Sequence, residues 1–94
     1  MSRIQIRRTH AMDHDHALRV ADELAREMTE HYDFEWHWEG ERLKLRRAGL
    51  NGEVAIYPEE IGVDLALGMM LRPFKSRIEQ EVVNHLESIL ARHS

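Results

Sequence analysis

Cysteine is missing from this 94-residue chain, proline occurs twice, and aromatic residues make up 6%. Without cysteine there is no disulfide framework and no thiolate chemistry, which suits a reducing compartment. Long apolar runs are missing too. The longest, Leu65 to Leu71, falls far short of the ~20 residues a membrane-spanning helix needs. The opening Met1-Ser2-Arg3-Ile4-Gln5-Ile6-Arg7-Arg8 lacks the apolar centre of a secretory signal, so the cytoplasm is the expected location. Basic excess is also absent: the formal net charge is −4 and the pI is near 5.9. Nucleic-acid binders draw much of their affinity from neutralising phosphates, so the overall sign is wrong for that class.

What remains is an ordinary globular composition, 43% hydrophobic and 32% charged, sized for a single domain over residues 1–94. Ile4 and Ile6 alternate with Arg3, Gln5 and Arg7, the pattern of a half-buried strand. Asp13 then offers a helix cap. Ala17, Leu18, Val20, Ala21, Leu24, Ala25, Met28 and Tyr32 fall on one arc of the following helix. Phe34, Trp36 and Trp38 alternate with Glu35, His37 and Glu39 up to Gly40-Glu41, the Gly-X pair of a type II′ turn. Counting outward sets Trp38 against Leu43 and Trp36 against Leu45, with Glu39 opposite Arg42 and Glu35 opposite Arg46.

Asn51-Gly52 and Pro58-Glu59 read as further turns, and Ile61, Val63, Leu65, Leu67 and Met69 as the longest strand. Pro73 suits a first helical turn, and Ser76 with Glu79 offers a capping box. Phe74, Ile78, Val82, Val83, Leu86, Ile89 and Leu90 form the stripe of that last helix, which should end close to Arg92. The predicted fold is α+β, in the order β-α-β-β-β-β-α. It has a five-stranded antiparallel sheet with both helices on one face, a reduced helix-grip-like layout.

Residues that carry chemistry are scattered. Asp13-His14-Asp15-His16 invites a metal reading, but side chains at i,i+2 diverge at a helix entrance, so neither a metal nor a cofactor is expected. His85 falls at the edge of the buried arc. Ser2, Ser76, Ser88, Ser94, Thr9 and Thr29 have no evident base beside them, so no triad is visible and no catalytic residue is assigned. Arg42, Lys44, Arg46 and Arg47 with Trp36 and Trp38 suggest a nucleic-acid face, yet parity turns the tryptophans inward and the first three cations outward. Arg47 breaks the rule, because strict alternation points it inward opposite Phe34 and Ile56. The outward positions Ala55, Tyr57, Gly62, Ala66, Gly68 and Met70, with Met69, Leu71 and Phe74, form a weakly polar stretch. Ala66, Gly68, Met69, Met70, Leu71 and Phe74 are therefore the candidate interaction surface.

The stretch Leu67-Gly68-Met69-Met70-Leu71-Arg72-Pro73-Phe74-Lys75, with Ile78-Glu79 and Val82, resembles the polyhydroxyalkanoic acid system protein family. So do Arg7-Arg8-Thr9-His10, Trp38-Glu39-Gly40 and the Gly49…Gly52 spacing, whereas Asp13–His16 is not part of that pattern. The resemblance covers nearly the whole chain. It implies a non-catalytic accessory role in polyhydroxyalkanoate metabolism, with the polyester granule or a granule-associated protein as partner, and it supplies no catalytic residues. The alternative is a domain that binds acyl chains in a cavity between helices and sheet, with Trp36 and Trp38 lining it. A thioesterase-like hydrolase ranks last. A homodimer is compatible with each reading.

Overall fold

Apolar side chains at every second strand position give one sheet a greasy face, and two amphipathic helices cover it. The computed structural model describes residues 2–93. Its strands are β1 (Ser2–Thr9), β2 (Glu35–Glu39), β3 (Arg42–Arg47), β4 (Leu50–Ile56) and β5 (Glu60–Leu67). They form one antiparallel sheet in the order β1-β5-β4-β3-β2. Helix α1 (His14–Tyr32) follows β1, and helix α2 (Lys75–His93) closes the chain after a 3-10 helix, Met69–Phe74. The predicted class and element order hold, including the pairing of the first strand with the last.

Ile4, Leu43, Val54, Ile61, Leu65 and Leu67 from the sheet join Val20, Leu24 and Met28 of α1 and Val82, Leu86 and Ile89 of α2 in one buried cluster. Burying a side chain of this size contributes about 1.5–3 kcal/mol. The other sheet face carries Arg3, Gln5, Arg42, Lys44, Glu53 and Asp64, as the strand alternation requires. The Oδ1 atom of Asp13 accepts the His16 backbone N–H at 2.8 Å and caps α1, as anticipated. In the β2–β3 hairpin Trp36 pairs with Leu45, Trp38 with Leu43, Glu35 with Arg46 and Glu39 with Arg42. Gly40 takes φ +61° while Glu41 does not turn positive, which is the II′ geometry.

Four expectations are corrected. Asn51 and Gly52 lie inside β4, and the turn comes earlier at Ala48-Gly49, where Gly49 takes φ +81°. That shift sets Arg47 opposite Leu50 rather than Ile56, at the hairpin end, where its side chain is exposed. β5 stops at Leu67, where β4 gives way to the Ala48-Gly49 turn: Leu67 pairs with Leu50 and the Gly68 N–H goes to the Gly49 carbonyl, so Met69 has no β4 residue to pair with. Finally, Pro73 and Phe74 belong to the 3-10 helix. That helix runs straight into α2 through Lys75 in the right-handed helical region, so Ser76 and Glu79 do not form an entry cap.

Candidate functional site

The sheet-to-helix connection begins at Gly68, whose extended backbone donates its N–H to the Gly49 carbonyl at 2.8 Å. The Gly68 carbonyl then accepts the Leu71 N–H at 3.1 Å and starts the 3-10 helix. Leu71 turns back, half-buried, onto the core and over Gly49, where a Cβ would meet its Cδ1 at 3.5 Å. The rest of the segment points the other way. Met69 is 82% exposed, Met70 85% and Phe74 51%. Single exposed apolar residues are common; three within one turn-sized segment are not, and such clusters mark contact surfaces.

The predicted surface residues therefore separate into roles. Met69, Met70 and Phe74 form an exposed hook, Leu71 anchors it, and Gly68 fixes its departure from the sheet. Ala66 sits on the polar sheet face between Arg3 and Asn51 in the strand register. Beside Ala66 and Gly68 an open groove of about 800 Å³ is bounded by Arg46, Arg47, Asn51, Asp33 and Glu35. Arg47 holds its guanidinium 5.9 Å from the centre of the Phe34 ring, a cation–π distance. Arg72 and Lys75 flank Pro73-Phe74 within the hook itself. Among the described residues, Arg46, Arg47, Arg72 and Lys75 make no ion pair.

Elsewhere polar groups are tied into one another. His14 and His16 part company: His14 Nε2 lies 3.0 Å from Glu41, while His16 Nε2 lies 2.7 Å from His93 Nδ1. The α1–α2 seam continues through Glu23, which meets Arg92 at 3.0 Å and His93 at 3.4 Å. Glu27 then meets Arg92 at 2.7 Å and His85 Nδ1 at 2.9 Å, and the His85 ring lies 5.3 Å from that of His31. Burial acts to raise the Glu27 pKa, but the hydrogen bonds from Arg92 and His85 outweigh it and hold the carboxyl below its ordinary value. This seam went unread in the sequence, although Glu23, Glu27 and His31 do repeat at i, i+4 and i+8. The stripe looks like any solvated helix face until a second helix is laid beside it.

On the open sheet face the carboxylate partner of Arg42 and Lys44 is Glu53 on β4, at 2.9 and 3.2 Å, whereas their opposite numbers on β2 are Glu39 and His37. The Arg42 hydrogen bond lowers the Glu53 pKa, burial pushes the other way, and Lys44 adds to the lowering. The tryptophans pack against the core on the far side, and Trp38 Nε1–H points to Asp22 Oδ1 at 3.4 Å. The Thr29 hydroxyl donates to the Ala25 carbonyl at 2.9 Å. Ser94, one of the hydroxyls considered, lies outside the described residues.

Between helices and sheet, a small apolar cleft at Met28, Tyr32, Phe34, Leu50, Leu71 and Ile78 holds about 40 Å³. Small-molecule sites usually offer ~300–1,000 Å³. No described helix is long and apolar enough to cross a membrane.

Fold and site together define a two-layer α+β domain with an exposed apolar hook and unpaired cations at one end. The family model "Putative polyhydroxyalkanoic acid system protein" matches residues 4–90, and the chain belongs to that family, as its Leu67–Lys75 stretch implied. No curated protein and no solved structure matches it.

Proposed function

We propose that the chain is a non-catalytic, cytoplasmic accessory protein of polyhydroxyalkanoate metabolism that docks on the polyester granule through Met69, Met70 and Phe74. The observation that carries this reading is the exposure of those three side chains on a segment anchored by Leu71 and Gly68. Fully burying an exposed side chain of this size is worth about 1.5–3 kcal/mol. Met69 and Met70 approach that and the half-exposed Phe74 about half of it, so a polyester surface would repay contact with all three. Family membership supports the metabolic setting. The acyl-binding alternative has, among the described residues, the enclosed cleft of roughly 40 Å³ beside Leu71 and a shallow, open recess of about 310 Å³ at Leu18, Asp22 and Trp38.

Fractionation of a producing cell tests the proposal. The protein should sediment with granules and stay there through a wash in low-salt buffer. Recovery wholly in the soluble fraction, with granules present, would refute it.

A further inference from the structure

The hook does not stand alone. Arg7, Arg19, Arg46, Arg47, Arg72 and Lys75 are the basic side chains that lack a carboxylate partner among the described residues. All but Arg7 and Arg19 gather at the end of the molecule that carries Met69, Met70 and Phe74. Arg46 and Arg47 border the groove beside Gly68, and Arg72 and Lys75 sit in and next to the 3-10 helix. Unpaired cations beside large exposed apolar groups form a two-part surface, and each candidate occupant can be judged on whether it answers both parts.

Bare polyester would take the apolar side chains and leave the cations unanswered. An acidic peptide would meet the cations and leave the methionines in water. A layer of anionic headgroups over an apolar interior satisfies both, and this combination is the one by which segments lie in a lipid interface. We infer, resting on the docking role proposed above, that this end recognises an anionic phospholipid layer. Met69, Met70 and Phe74 enter its acyl zone, while Arg72 and Lys75, with Arg46 and Arg47 behind them, contact its phosphates.

The net charge of −4 does not forbid this. At physiological salt the screening length is about 8 Å, so carboxylates at the far side of the domain are largely hidden from the surface. Asp33 and Glu35 share the groove with Arg46 and Arg47. Contact is therefore centred on the 3-10 helix, and Arg72 and Lys75 carry more of it.

The full chain is mixed with three particles: vesicles of phosphatidylglycerol and phosphatidylcholine, vesicles of phosphatidylcholine alone, and neat polyester beads. The mixed vesicles should bind. Arg72→Gln with Lys75→Gln should weaken that binding on the order of tenfold, since each basic residue near an anionic surface matters by several-fold. Arg46→Gln with Arg47→Gln should weaken it less. Raising NaCl from about 0.1 to about 1 M, which shortens the screening length to about 3 Å, should release the protein. Arg72→Lys should retain binding; Arg46, Arg47 and Arg72 are exposed and Lys75 is half-buried, so a thermal melt of each variant checks the fold.

Equal binding to neutral and anionic vesicles, or no effect of R72Q/K75Q, would overturn the inference. Binding to neat polyester without binding to anionic vesicles would overturn it and leave the docking role intact. Binding to no particle, or self-association through the hook seen by sedimentation in its place, would overturn both.

Discussion

At Gly52 an added side chain would have to displace a packed leucine methyl. A Cβ there would lie 2.6 Å from Leu65 Cδ2 and 3.4 Å from Leu45 Cβ, on the row where β3, β4 and β5 meet. Gly52→Ala should therefore destabilise the domain by about 1–3 kcal/mol, the usual cost of overpacking. A urea unfolding midpoint equal to wild type would contradict this. Asn-Gly is a strong turn signal in a sequence because glycine accepts positive φ, yet that role falls to Gly49. The neighbour across the sheet decides between the two glycines, and a linear reading does not contain it.

His10 works in the same local way. Its Nδ1 accepts the Met12 N–H at 3.1 Å, so Nε2 carries the proton and donates to the Tyr57 carbonyl at 3.0 Å. These bonds tie the end of β1 to the β4–β5 loop, helped by the His10 N–H to the Glu59 carbonyl at 2.9 Å. His10→Ala loses both ring bonds, about 1–2 kcal/mol together. Thermal unfolding should fall by roughly 4–8 °C per kcal/mol lost for a domain this small. An unshifted melt would show that the ring is not holding the loop.

Elements record how far pattern alone reaches. The β2–β3 hairpin was legible down to its register, because apolar and charged pairs both had to match across a two-residue turn. The end of β5 was not. Its alternation continues through Met69, but the neighbouring β4 runs out at Leu50, so the chain leaves the sheet at Gly68. The candidate surface was half legible for the same reason: Met69, Met70 and Phe74 could be named, while their separation from Leu71 depends on the 3-10 geometry. Position in the sheet also orders its stability. β3, β4 and β5 are paired on both sides while β1 and β2 lie at the edges, so hydrogen exchange should protect the amides of the three inner strands more than those of the two outer ones. Equal protection would argue against the strand order.

The α1–α2 seam sets a pH dependence whose sign is fixed. Glu27 faces His85 and Arg92, with Glu23, His31, His93 and His16 along the same seam. Because its carboxyl is held below the ordinary value of 4.5 in the fold, its stabilising contribution is complete above that value. The contribution is then lost as the pH falls through the depressed folded-state pKa. Glu27→Gln should lower stability at neutral pH and flatten the fall below pH 4.5. A variant with the wild-type acid limb would mean that another group sets it.

At the scale of the whole molecule, stability and the proposed docking are carried by different residues. The core from Ile4 to Ile89 holds the layers together, whereas Met69, Met70 and Phe74 contribute little to it while largely exposed. That division makes the hook removable. Arg47, inward-pointing in a strict alternation, fits here as well: the shifted turn frees it to lie over Phe34 at the groove edge.

The most direct measurement takes Met69→Ser, Met70→Ser and Phe74→Ser in one chain and follows two readouts, the thermal melt and the fraction bound to isolated granules. A cooperative melt within about 10 °C of wild type is expected, since three surface substitutions cost up to about 0.5 kcal/mol each, together with loss of most granule binding. Undiminished granule binding by a folded triple variant would contradict it.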